Sequence, residues 1–299
     1  METANRPVAG IVWMLLTGAC FVAVTALVKY LGDGVPAAQA AFLRYLLGLV
    51  FLIPMIGAMR RVTYTKSLLT WFGVRGVAHT LGVILWFYAM TRIPIAEVTA
   101  MNYLNPVYVT IGAALFMGEK LAGRRIFAIV IALLGAIVIL RPGFRELNDG
   151  HFAMLFTAMF FAVSYLLAKK FSGEVSATVV VAMLSITVTI GLAPFAWAVW
   201  VTPTPWELAI LFGVACFATA GHFTMTLAFA AAPLTVTQPV TFLQLVWATL
   251  LGFLVFGEGI DGFVVLGGAL IIASVSFITW REAQLRRGAV APIEPETKL

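Results

Sequence analysis

Few residues of this chain have side chains suited to chemistry, and most of those lie within long apolar runs. Arg44, in the segment FLRYL, is the clearest of them, because a charge in an apolar run is costly unless it is paired or hydrated. One interpretation pairs Arg44 with Glu97 or extends it to the nearer polar surface. The other has Arg44 bind the carboxylate of a ligand or change partners during gating. Both interpretations make Arg44 and Glu97 candidate charged residues of a gate or a binding site.

The three histidines, His79, His151 and His222, have no spacing typical of metal ligands. The sequence also contains no Walker A loop and no HExxH, GxSxG or CxxC motif. We therefore expect neither an enzyme nor a bound metal or cofactor. Proton coupling, if the function uses it, would need His79, His222 or Glu97. His151 begins an apolar run and is expected at an interface, and Arg75 is expected to extend to lipid phosphates.

Polar and aromatic side chains deep in the apolar runs form a second group of candidates. Amide and hydroxyl groups there would orient the polar atoms of a ligand, and rings would contact its apolar parts or an ammonium group. The alternative is simple packing and hydrogen bonding between helices, which we favour for Thr99. The candidate ligand-binding residues are His79, Trp86, Thr99, Asn102, Tyr103, Ser164, His222, Gln238, Gln244 and Trp247.

Two prolines and two glutamates have positions that predict local backbone effects. Pro106 and Pro239 lie within apolar runs, where each frees a backbone carbonyl that must find a partner or line a hydrated cavity. The alternative is a packed kink without ligand contact. Glu119 and Glu258 each follow a glycine just before an apolar run, so we expect each to cap the N–H groups of the following helix.

Ten apolar runs must position these side chains. The chain is 62% hydrophobic and 11% charged, and its mean hydropathy is +1.02, which differs strongly from the composition of soluble domains. Since a run of about 20 apolar residues crosses a bilayer, we predict an all-α membrane protein with ten transmembrane helices. Their predicted bounds are roughly 8–31, 37–59, 67–91, 95–117, 124–141, 151–169, 177–200, 206–229, 234–256 and 261–280.

Basic residues orient the predicted spans. With the N-terminus in the cytoplasm, thirteen Lys and Arg residues fall in cytoplasmic segments and four in outer loops. This bias is the one expected of membrane proteins, so both termini are predicted to be cytoplasmic and the net charge of +6 does not indicate nucleic-acid binding. Residues 1–7 are expected to form a short tail, and residues 281–299 a disordered cytoplasmic tail.

The end of the first half of the chain is similar to the end of the second half. Residues 94–140 and 233–279 align without a gap at an offset of 139 residues, which places Pro94 on Pro233 and Glu119 on Glu258. We predict a first five-helix repeat at 8–141 and a second at 151–280. Because each repeat has an odd number of spans, the two must be inverted relative to each other. This architecture is typical of transporters that work by alternating access around a site between the repeats.

The segments LNPVYVTIGAALFMGE and QPVTFLQLVWATLLGFLVFGE, together with FLRYLLGLV, resemble the EamA type of the drug/metabolite transporter superfamily. The resemblance covers nearly the whole chain and is strongest to YddG-type bacterial amino-acid exporters. It implies a central cavity and export of amino acids or related metabolites across the bacterial inner membrane. One departure is that Pro106 aligns with Leu245, whereas the second repeat carries Pro239, so the two helices are expected to bend at different depths.

Other functions remain open at this point. Within transport, the alternative is efflux of lipophilic cations or drugs, although no Asp or Glu lies at mid-span to select a cation. From a different class, a membrane receptor or scaffold would need an output domain or a protein partner. The expected partners are a small-molecule substrate and the lipid bilayer. The oligomeric state, the coupling ion and the direction of net transport are not determined by the sequence.

Overall fold

The apolar runs of the chain form α-helices, because a backbone in an apolar surrounding satisfies its hydrogen bonds within a helix. The computed structural model describes residues 6–117, 123–144, 146–171, 175–232, 237 and 240–289. No β-strand occurs in these ranges, so the described chain is all-α.

The helices of the first half follow the predicted spans, with interruptions in two of them. A 3-10 segment, Leu49–Met55, contains Pro54 and connects the two helices of the predicted second span. The helices of the first half are α1 Pro7–Leu31, α2 Ala37–Gly48, α3 Ile56–Met59, α4 Lys66–Met90, α5 Ile95–Asn102, α6 Asn105–Met117 and α7 Gly123–Leu140.

The helices of the second half have related boundaries. The threonine before α4 and the threonine before α10, Thr65 and Thr204, are separated by the same 139-residue offset. Each hydroxyl oxygen accepts a hydrogen bond from the backbone N–H three residues later, at 3.2 Å and 3.3 Å, and so caps its helix. The bounds are α8 Asp149–Phe171, α9 Ala177–Ala198, α10 Pro205–Ala231, α11 Leu243–Phe256 and α12 Gly262–Ala289.

The described residues include six helical segments that are long and apolar enough to cross a membrane. Three shorter apolar helices lie where the sequence predicts the fifth, ninth and tenth spans: Ile126–Leu140, Leu243–Phe256 and Gly262–Ile278. The predicted fourth span is divided between α5 and α6. The six long segments are Val8–Leu31, Ala37–Met59, Lys66–Met90, Asp149–Leu167, Thr178–Ala198 and Pro205–Met225.

The predicted fourth and ninth spans are interrupted at equivalent positions. α5 ends at Asn102 and α6 begins at Asn105, so Pro106 stands in the first turn of a new helix, where its missing N–H costs little. In the second half, α11 begins after a turn at Phe242. Tyr103 aligns with Phe242 at the 139-residue offset, so both breaks fall at the same point of the alignment.

The last helices of the two halves, α7 and α12, pack closely and run antiparallel. A Cβ atom on Gly135 would lie 2.7 Å from the carbonyl oxygen of Gly267, and the Ser274 hydroxyl donates to the carbonyl of Ala128. Later residues of α7 therefore contact earlier residues of α12. Ala128 aligns with Gly267 and Gly135 with Ser274 at the same offset, so each contact is the image of the other under exchange of the halves.

Other helix pairs repeat this exchange. α1 packs along α10, and α8, its counterpart in the second half, packs along α4. α2 packs against α9. Buried side chains of α2, α4, α5 and α8 form one continuous core between the halves. Residues 281–289 belong to α12 and not to the disordered tail that the sequence predicts from residue 281. Residues 290–299 lie outside the described part of the chain.

Candidate functional site

A chain of hydrogen bonds passes through His79 in the interior of the bundle. His79 Nε2 lies 3.1 Å from the Tyr45 hydroxyl, and His79 Nδ1 lies 3.1 Å from Ser164 Oγ. Ser164 Oγ is also 3.3 Å from Arg75 Nε, and the His79 ring stacks on Phe161 with centroids 4.8 Å apart. Because α2 and α4 belong to the first half and α8 to the second, this chain of polar groups joins the two halves.

Arg75 has a position that the sequence did not predict. Its side chain is buried rather than extended to lipid phosphates. The guanidinium donates to the carbonyl oxygens of Ser164 at 3.2 Å and Val180 at 3.0 Å, in α8 and α9. Neighbouring carbonyl groups thus satisfy its donors, so Arg75 ties three helices together.

Arg44 is 8% exposed, and its guanidinium carbon lies 4.0 Å from the centroid of the Tyr45 ring. The pair of Arg44 with Glu97, one of the two interpretations of the sequence, does not form. Glu97 Oε2 lies instead 2.6 Å from His151 Nε2, and both side chains are buried. The His151 side chain is therefore buried among the helices, in the first turn of α8, and among the described residues no carboxylate pairs with Arg44.

The bundle has accessible surface in its interior. On α8, Phe156, Met159 and Val163 form an exposed stripe. Because an α-helix has about 3.6 residues per turn, Tyr165 lies on the opposite side of α8. Tyr165 is nevertheless 42% exposed. Its exposed surface therefore faces an opening within the bundle rather than the outer surface of α8. His222 of α10 is also half-buried, on the side of that helix that carries buried residues.

The electrostatic environment of this interior is basic. The charges of Arg75 and Arg44 both act on His79, and the same two arginines act on His222. His222 also packs edge-on against Phe21 of α1, with ring centroids 5.2 Å apart. Two arginines and two histidines from α2, α4 and α10 thus face the same region.

Aromatic side chains form one wall next to these basic groups. Trp86 is half-buried and packs edge-on against Phe161 at 6.2 Å and against Phe87 at 6.0 Å. Phe161 in turn contacts Tyr165 at 6.4 Å. Such a wall suits the apolar part of a small ligand.

The two helix breaks meet at the interface between the halves. The rings of Tyr103 and Phe242, which are equivalent residues, contact each other at 5.4 Å. The Tyr103 hydroxyl donates to the carbonyl oxygen of Thr241 at 3.1 Å. Next to the first break, the Asn102 side-chain oxygen is buried without a hydrogen-bond partner in the described part of the chain. Backbone and side-chain polar groups are therefore concentrated where the halves meet.

Three further candidates from the sequence have packing contacts. The Thr99 hydroxyl donates to the carbonyl of Ile95 in its own helix at 2.9 Å. Trp247 lies against α1, 3.1 Å from where a Cβ atom on Gly18 would stand, and Gln244 is beside it. These contacts position α11 against α1.

Glu258 caps a helix, but a different one from that predicted. Its carboxylate accepts a hydrogen bond from the backbone N–H of Ile95 at 3.0 Å, at the start of α5, and pairs with Lys29 Nζ at 2.5 Å. The Lys29 ammonium also donates to the carbonyl of Ile93 at 3.0 Å. α1, α5 and the segment after α11 are therefore tied together at one end of the bundle.

Some predicted residues cannot be placed, and some contacts were not anticipated. Gln238, Pro239 and Glu119 lie outside the described residues. Tyr45 is the residue that the sequence analysis missed, although its position directly after Arg44 in an apolar run was a signal. Nowhere in the described ranges do three His, Cys, Asp or Glu side chains come together as metal ligands would.

Comparison with known proteins places the chain among membrane carriers. The model of the EamA-like transporter family matches residues 8–141 and again residues 148–280. A crystal structure with 19% sequence identity superposes with a TM-score of 0.61 and covers 94% of this chain and 98% of its own, which shows a shared fold.

Curated relatives are similar over most of their length. The chain is 29% identical to a riboflavin transporter of Vibrio cholerae over 96% of this chain and 98% of that protein. It is 26% identical to an S-adenosylmethionine uptake transporter of Rickettsia prowazekii, over 91% and 93%. It is 26% identical to the pseudopaline exporter CntI of Pseudomonas aeruginosa, over 89% and 94%. These relatives carry different metabolites, and their names include both uptake and export.

Proposed function

The chain belongs to the EamA-like transporter family, and on that premise we propose that it exports amino acids or related small metabolites by alternating access. The observation that carries the proposal is the polar chain through Tyr45, His79, Ser164 and Arg75, which joins the two halves beside an accessible interior. A transporter of this type binds its substrate between its repeats, near the middle of the membrane.

The proposed architecture is ten spans in two inverted repeats, at 8–141 and 151–280, with both termini cytoplasmic. The antiparallel packing of α7 and α12 supports the inversion, because equivalent helices of parallel repeats would point the same way. The distribution of Lys and Arg supports the orientation. We place the protein in the bacterial inner membrane, where the YddG-type exporters that it resembles are found.

The proposed substrate site combines the basic, polar and aromatic groups of the interior. His79, Ser164 and His222 supply polar groups, and Trp86 supplies an apolar wall. Tyr103 and Asn102 mark the helix breaks, and the Asn102 oxygen is an acceptor suited to a substrate ammonium group. Thr99, Gln244 and Trp247 have packing roles instead: Thr99 bonds within α5, and the other two contact α1.

Counterflow in proteoliposomes tests this function. Vesicles loaded with unlabelled candidates would be assayed for uptake of a labelled compound, using neutral amino acids, S-adenosylmethionine and riboflavin in parallel. Acceleration by amino acids is the expected result. Failure of every compound in the panel to accelerate uptake would contradict the proposal, provided that the protein is folded in the same vesicles.

Riboflavin is the second candidate substrate, because two riboflavin transporters are each 29% identical to this chain over most of its length. The aromatic wall at Trp86 suits a flat ring system. Net direction is tested separately, by comparing efflux from preloaded cells with and without the protein. Net uptake in that assay would contradict export and leave the carrier function intact.

A further inference from the structure

Arg44 differs from the other basic side chains of the described residues that are buried or form ion pairs. Lys29, Arg92 and Arg141 each pair with an aspartate or glutamate. Arg75 is satisfied by backbone carbonyl groups. Arg44 is buried to more than nine-tenths, and the contact that the structure gives it is the face of the Tyr45 ring.

A buried charge without an opposite charge is unfavourable unless water or a bound ion neutralises it. Arg44 and Arg75 both act electrostatically on His79 and His222. Arg75 adds a second positive charge to this region, and among the described residues no carboxylate forms an ion pair with Arg44. The neutralising charge must come from outside the described chain.

The Tyr45 hydroxyl is held by His79, which is in turn held by Ser164. The Tyr45 ring, on which the Arg44 guanidinium stacks, is thereby held in place through its hydroxyl group. A guanidinium that is stacked on a fixed ring keeps its N–H edge free to bind both oxygens of a carboxylate.

We propose that Arg44 binds the carboxylate of the transported substrate and makes the carrier select molecules that have one. This inference rests on the proposed transport function and adds to it the chemical group that is recognised. Because the site is basic, cations without a carboxylate are excluded from it.

The test compares acids with their uncharged amides in counterflow. Wild-type protein is expected to accept a neutral amino acid and to reject its carboxamide. Arg44→Gln should lower counterflow of the acid by about 30-fold or more, since the buried charge pair is lost. Arg44→Lys keeps the charge but not the two-pronged geometry, and an intermediate loss is expected.

Arg92→Gln is the matched control, because the Arg92 guanidinium also lies on a tyrosine ring, at 3.7 Å from Tyr88, but on the exposed surface. It should leave acid counterflow unchanged. Equal transport of acids and amides by the wild type would overturn the role of Arg44 and leave the transport function intact. This comparison uses the wild-type protein alone, so it does not depend on whether a variant folds. Transport of riboflavin alone, which has no carboxylate, would also overturn it, and absence of all counterflow would remove the transport function itself.

Discussion

Single side chains in this protein act by joining helices that are distant in sequence. The Ser164 hydroxyl is fully buried and lies within hydrogen-bond distance of both His79 and Arg75, so its loss leaves His79 Nδ1 without this partner in an apolar interior. At the end of the bundle where α5 begins, Lys29 and Glu258 have side chains that are 18% and 12% exposed, so their attraction is weakly screened by solvent.

Ser164→Ala should destabilise the purified protein by about 1–3 kcal/mol, the cost of unpaired buried polar groups. Ser185→Ala is the control, because the Ser185 hydroxyl is exposed and bonds within its own helix at 3.2 Å. It should change stability by less than about 0.5 kcal/mol. Thermal unfolding of both variants in one detergent measures the difference, and equal melting temperatures would contradict the role of Ser164.

A double-mutant cycle on Lys29→Met and Glu258→Gln should give a coupling energy of about 0.5–3 kcal/mol. The control cycle uses Arg92→Gln and Asp33→Asn, a pair 3.4 Å apart with side chains 32% and 73% exposed. There the coupling should be within about 0–1 kcal/mol. Equal coupling in both cycles would mean that the Lys29–Glu258 pair does not hold α1 to the start of α5.

At the scale of helices, close packing of α7 against α12 depends on glycine. A Cβ atom on Gly267 would collide with the backbone carbonyl of Gly135 and would lie 2.6 Å from Ile139 Cγ1. Backbone atoms cannot move aside as a flexible side chain can, so the two helices would have to separate.

Gly267→Ala should therefore destabilise the protein by about 1–3 kcal/mol through overpacking. Gly73→Ala is the control in α4, because nothing lies within 4 Å of its added Cβ atom. Alanine favours the helix there by up to about 1 kcal/mol, so stability should hold or rise. Melting temperatures of the two variants give the comparison, and a Gly267→Ala protein as stable as wild type would contradict the crossing.

For the whole molecule, the proposed inversion of the repeats would place equivalent loops on opposite sides of the membrane. The loop between α3 and α4 and the loop between α9 and α10 have helix ends separated by the same 139-residue offset. Thr63 and Thr202 occupy matching, exposed positions in them.

Thr63→Cys should react with a membrane-impermeant thiol reagent from the cytoplasmic side, and Thr202→Cys from the outer side. The measurement uses intact cells and inverted vesicles, with Cys20 and Cys216 replaced by alanine. Reaction of both cysteines from the same side would rule out inverted repeats.

The sequence determined the class of this protein, its helices and its duplication. Hydrophobicity over about 20 residues is a local property that alone places a segment in the membrane, so the runs and the helices largely coincide. The alignment of Tyr103 with Phe242 was likewise readable, and so was the isolation of Arg44 in an apolar run. His79 and Ser164 were identified as candidates from their types and depth.

Only the tertiary structure decided which of these residues meet. Depth along a span made Glu97 a reasonable partner for Arg44, but the direction in which a helix turns its side chains placed Glu97 against His151. In the same way Glu258 caps α5, which lies far away in sequence, and His79 lies between Tyr45 and Ser164. Pairings of this kind depend on which helices are neighbours and which faces they share, and a one-dimensional pattern contains neither.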